Sequence, residues 1–219
     1  MSASTRDAAA GSTAAGKIVV FVAVVVPLLP AAAWLREAVQ MYTMGLDAAF
    51  LGLYLPARLL ALVGLVLMFY QFVLASRVGL LQRWFKRASL LKTHRSLGKA
   101  AYLLVLIHGV AMLAFDLVAT GEIYLFTEKT LGLIGLILLT FGVLAAWFFK
   151  PLKLSLKQWR TIHLVTYVVF PMVIVHALAL GTTVNSVPLV RALFIAMLLG
   201  YVLLLLHRLY LVVTRRRAA

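Results

Sequence analysis

Six apolar stretches, each about long enough to cross a bilayer, constrain this chain more than any other feature of its sequence. A membrane-crossing helix needs about 20 predominantly apolar residues, and 219 residues, 64% of them hydrophobic, hold six such runs with short connections. Only 12% of residues are charged, against roughly a quarter in soluble domains. A soluble globular domain and a disordered chain are both excluded, and no length remains for a separate soluble catalytic domain. The reading is an all-α membrane protein, a bundle of six transmembrane helices at residues 18–213. A flexible tail precedes it at 1–17 and a basic tail follows at 214–219. The expected spans are 18–35, 51–76, 97–118, 130–149, 162–180 and 187–213. Pro27 and Pro30 are expected to bend the first.

Charge orients the bundle. Seventeen of the 21 basic residues fall in the N-terminal tail, in or beside the second-to-third and fourth-to-fifth connections, or at the C-terminal end. Arg36, Arg58, Lys129 and Arg191 fall on the other side, with five of the six acids. The positive-inside rule then puts both termini in the cytoplasm of a multi-pass cell-membrane protein surrounded by lipid. The net charge of +15 is explained by these loops and calls for no nucleic acid. There are no cysteines, so disulfides, iron–sulfur clusters and thiolate zinc sites are excluded.

Ionisable residues inside a membrane are costly and mark candidate sites. His94 and His108 belong to the third span, His163 and His176 to the fifth, and His207 to the basic end of the sixth. Each pair is separated by roughly 20 Å along its helix. The 14-residue spacing of His94 and His108 falls about 40° short of four turns, so they share a face; the 13-residue spacing of His163 and His176 falls about 140° short. Pro171 lies between the latter two and is expected to supply the correcting kink. Depth pairs His94 with His163 and His108 with His176, and imidazole is a common axial ligand of haem iron. Two porphyrins stacked across the bilayer would make an electron wire. Taken singly, a membrane histidine is a helix–helix hydrogen-bonding residue; four matched in depth on two helices argue for ligation. The two levels lie too far apart to share one zinc. His207 has no partner at its depth and reads as interfacial.

The run His94-Arg95-Ser96-Leu97-Gly98 followed by His108 resembles the H-R-x-L-G…H signature of the ferric reductase-like transmembrane domain. Trp159-Arg160-Thr161-Ile162-His163 through His176 resembles its fifth-helix signature. The resemblance covers about Leu51 to Leu206. It implies six helices and two b-type haems held between the third and fifth, the inner on His94 and His163, the outer on His108 and His176. The family includes ferric reductases, NADPH oxidases and the haem-binding subunit of bacterial methionine sulfoxide reductase. Those last subunits match this chain in size but commonly lack the first histidine of helix three; His94 favours two haems over one. A similarly placed arginine in the oxidase branch implies that Arg58 contacts a haem propionate or an external acceptor. Snorkelling is its plain alternative.

Lys92, Arg95, Lys99 and Arg160 gather beside the inner pair, to neutralise propionates, to dock a donor, or simply as positive-inside charge. Gly98, one turn from His94, would let a porphyrin approach the backbone, or would serve helix packing. Tyr102, Tyr167 and Phe170 lie between the two levels, as packing or as a bridge. Trp147 to Phe149 read as an interfacial belt.

No nucleotide-binding signature is visible. The donor is therefore expected to be a cytoplasmic-side reductase, a diffusible flavin (FMN or FAD) or a quinol. The acceptor is a ferric chelate, oxygen or a periplasmic protein. Two alternatives stand beside this bis-haem electron carrier: a subunit feeding a periplasmic reductase such as methionine sulfoxide reductase, and a cofactor-free transporter or structural membrane protein.

Overall fold

A computed structural model describes the backbone of residues 3–217 and the side chains of residues 14–214. Its elements are all helical: α1 (Ala3–Val25), α2 (Leu28–Thr43), a π-turn at Phe50–Tyr54 leading into α3 (Leu55–Ala75), α4 (Gly79–Trp84), α5 (Arg87–Thr120), α6 (Thr127–Trp147), α7 (Leu156–His163), α8 (Thr166–Leu180), α9 (Thr182–Ser186) and α10 (Pro188–Arg217). Six segments are long and apolar enough to cross a membrane: 14–43, 50–75, 87–120, 127–147, 156–180 and 188–214.

The expected spans thus hold, with later or earlier ends. The first is α1 and α2 together, broken at Pro27, and it reaches Thr43 rather than Leu35. Helix also runs back to Ala3 and on to Arg217, through segments expected to be tails. Alanine, the best helix former, dominates the first of these. Met1, Ser2, Ala218 and Ala219 lie outside the described residues.

Two packed helix pairs build the interior. α3 lies against α5 and α6 against α8, with α10 closing across α3 and α8. Lipid tails are as apolar as leucine, so close packing rather than water exclusion holds such pairs together. Val66, Val169, Phe170 and Ile174 are completely buried between them. Phe141, Val110, Leu199 and Leu203 point outward, more than half exposed, as lipid-facing residues would.

The helix ends follow local chemistry. Arg87 donates to the carbonyls of Leu74, Ala75 and Ser76, capping the C-terminus of α3. Gly121, at φ +78°, ends α5 in a left-handed turn, a conformation glycine adopts without steric cost. Ser155 and Gln158 form a reciprocal capping box that starts α7.

The fifth span departs from expectation in one respect. Its break falls at Leu164–Val165, directly after His163, whereas Pro171 sits inside the unbroken α8. Two local choices explain this. Thr166 Oγ1 donates to the His163 carbonyl at 2.8 Å and so competes with the helical ladder. The carbonyl of Tyr167, which loses its partner because Pro171 has no N–H, accepts from Tyr201 Oη at 2.6 Å. The proline is thereby accommodated by a tyrosine from α10. At the break, amides of Leu164, Val165, Tyr167 and Val168 each bond three residues back. Such 3₁₀ geometry advances each residue about 120° rather than about 100°, which recovers over half of the phase shortfall between His163 and His176.

Candidate functional site

All four paired histidines are held in the same way. His94 Nδ1 lies 3.2 Å from the Gln71 carbonyl and His108 Nδ1 lies 3.0 Å from that of Ala57, both on α3. His163 Nδ1 lies 3.4 Å from the Gly142 carbonyl and His176 Nδ1 lies 2.7 Å from that of Glu128, both on α6. A carbonyl can only accept, so each Nδ1 is the donor, and in the neutral ring each Nε2 then keeps a free lone pair. The arrangement is a register effect. Gln71 and Ala57 are 14 residues apart, as are His94 and His108 on the neighbouring α5. Gly142 and Glu128 repeat the spacing opposite the second pair.

The histidine levels differ in surroundings. His94 and His163 face each other with ring centres 6.4 Å apart and planes at 81°. They share a cavity of about 1440 Å³ at the basic end of the bundle. Its lining includes Arg77, Arg87, Arg95, Lys99, Lys157, Arg160 and Arg208, and no acid. His108 and His176 are not part of that cavity's wall. The His176 ring packs directly on Gly132, where a Cβ would sit 2.6 Å from its Nδ1 and Cε1. Among the described residues no three His, Asp or Glu side chains converge as an all-protein metal site would require.

The other expected site residues fall as follows. Arg95 and Arg160 are exposed at the cavity's edge. Gly98 lines the cavity, and a Cβ there would lie 3.0 Å from Gln71 Oε1. Arg58 is 7% exposed and does not snorkel. Its Nη2 contacts Glu37 at 2.5 Å and Thr183 Oγ1 at 2.7 Å, and its guanidinium lies over the Tyr54 ring. Glu37 also accepts from Thr183 and Ser186. This buried cluster ties α2, α3 and α9 together, and Glu37 was not singled out in the sequence. The available signal was its place at the end of one span, opposite Arg58 at the start of the next.

Tyr102 and Tyr167 line the cavity, whereas Phe170 is fully buried against Phe72 and Tyr201. Trp147 and Phe149, expected in an interfacial belt, also contribute to the cavity wall: Trp147 packs on Tyr102 and Lys99, Phe149 on Trp159. His207, expected to be merely interfacial, lines the same cavity with its Nε2 buried. Tryptophan and histidine positions give no periodic signal that would have placed them there.

No curated protein and no solved structure matches the chain. A family model, described as the ferric reductase like transmembrane component, matches residues 60–174. The match takes in His94, His108 and His163 and stops two residues before His176. With more than half its length matched, the chain belongs to the ferric reductase-like transmembrane family.

Proposed function

We propose that this protein is a bis-haem b-type cytochrome that passes electrons across the membrane, from a donor at its basic end to an acceptor at the opposite end. The observation that carries this reading is the common posture of the four histidines, each Nδ1 on a helix carbonyl and each Nε2 free. Metal-ligating histidines characteristically donate their other N–H in this way, which fixes the tautomer and raises ligand basicity.

The inner level fits a porphyrin iron. His94 and His163 are the residues that would hold the iron of an inner haem, each through its Nε2. Their ring centres stand 6.4 Å apart. The cavity exceeds the roughly 300–1,000 Å³ of an ordinary small-molecule pocket, and its cations suit a ligand with two carboxylates. His108 and His176 would hold the outer haem. Bound haem supplies one-electron chemistry, its iron alternating between ferric and ferrous states.

The chain's own residues do the rest. The carbonyls of Gln71, Ala57, Gly142 and Glu128 hold the ligating rings in place. Phe170 is fully buried and packs on Phe72 and Tyr201, which line the inner cavity. Arg95, Lys99 and Arg160 give the basic end a field that attracts an anionic donor, whether an acidic reductase or a flavin phosphate. The positive-inside rule makes that end cytoplasmic.

The test is a proteoliposome with entrapped reductant and an external impermeant ferric chelate. Wild-type protein should reduce the chelate well above empty vesicles, and His94→Ala or His108→Ala should each abolish the excess. A wild-type rate equal to that of empty vesicles would refute transmembrane electron transfer.

A further inference from the structure

Among the described residues, three side-chain atoms are buried without a hydrogen-bond partner: Gln71 Oε1, Trp159 Nε1 and His207 Nε2. All three belong to the wall of the basic-end cavity. Leaving a buried donor or acceptor unpaired is costly, because the group gives up its bonds to water and gains none. Three such atoms around one cavity mark the polar groups of whatever fills it.

Their chemistry narrows the occupant. An indole N–H is donor only, so Trp159 requires an acceptor; His207 Nε2 donates in one of its two neutral tautomers. Gln71 Oε1 accepts only and is suited to a water or another donor. The positions are complementary. Trp159 precedes His163 by one turn on α7, with ring centres 6.0 Å apart, so it stands beside any ligand on that imidazole. His207 comes from α10, on another wall. Two of the lining cations are engaged elsewhere: Arg87 caps α3, and Arg208 donates to Tyr167 Oη and lies 4.9 Å over its ring; Arg95 and Arg160 are exposed at the cavity's edge.

We infer that Trp159 and His207 are the buried donors that hold the carboxylates of the inner porphyrin, while the exposed cations supply only a diffuse positive field. This rests on the bis-haem reading above and assigns a binding role to His207, which the sequence placed outside the site.

The experiment uses the full chain prepared haem-free and reconstituted in detergent with protohaem or with its dimethyl ester, whose carboxylates are capped. Trp159→Phe and His207→Leu should each weaken protohaem binding about tenfold, the worth of one hydrogen bond to a charged group. Each should also shift the propionate-bending bands in the resonance Raman spectrum. With the ester, whose neutral carbonyls accept weaker hydrogen bonds, both variants should lose clearly less affinity than with protohaem. Trp159→Phe conserves the ring and guards against a folding artefact at His207. Equal protohaem affinity with unchanged Raman bands overturns the assignment, as does an equal loss with the ester, which would place another anion on these donors. A wild-type chain that binds neither porphyrin refutes the bis-haem reading itself, and this inference with it.

Discussion

The sharpest perturbation the structure offers is Gly132→Ala. A Cβ at this position would lie 2.6 Å from both Nδ1 and Cε1 of His176, roughly an ångström inside the about 3.5 Å contact distance of carbon atoms. The imidazole must therefore retreat from α6. Its 2.7 Å bond to the Glu128 carbonyl is the contact that this movement breaks first. Overpacking of this kind costs about 1–3 kcal/mol, and the lost hydrogen bond adds about 1 kcal/mol. Against this, alanine in place of a mid-helix glycine returns up to about 1 kcal/mol. The net expectation is a destabilisation of about 1–3 kcal/mol, accompanied by a changed ligand geometry at the outer level alone. Thermal denaturation would measure the first and low-temperature EPR of the oxidised protein the second. One low-spin haem signal should move while the other stays. A variant with wild-type stability and two unchanged signals would refute the placement of His176 against α6.

Other perturbations follow from the same contacts. Glu37→Ala leaves the buried Arg58 without its carboxylate, and should cost about 3–5 kcal/mol in thermal unfolding; the double replacement Glu37→Leu/Arg58→Leu should recover most of that loss. Tyr201→Phe strips the partner from the Tyr167 carbonyl and should cost about 1–3 kcal/mol. In a Pro171→Ala background the restored amide can take over, so the same change should cost less, and a double-mutant cycle measures the difference. Ser155→Ala removes the capping box of α7 and should cost about 1 kcal/mol, read as a lower melting temperature.

Much of this architecture was legible because the bilayer simplifies the code. Hydropathy alone located six spans, since a spanning helix must be apolar over a set length. The pairing of His94 with His163 followed from depth, because depth along a straight helix is a linear function of residue number. What depth could not reveal was rotation. The 13-residue spacing looked out of phase, and the natural suspect was Pro171, yet the overwinding occurs at Leu164–Val165. A proline's effect depends on whether another element satisfies the carbonyl it frees, and Tyr201 lies 34 residues away. Arg58 illustrates the same limit: its burial is set by Glu37 on another helix. The membership of Trp159 and His207 in one cavity wall likewise depends on how α7 and α10 are rotated.

The central claim is that four histidines hold two haems at two levels. It is tested most directly by counting b-type haem per chain, by the pyridine haemochrome method, in the purified wild type and in His94→Ala, His163→Ala, His108→Ala and His176→Ala. The account predicts two haems in the wild type and one in each variant. The first two variants should lose the same spectral component and the last two the other. A single haem in the wild type, or a loss that pairs His94 with anything but His163, would contradict it.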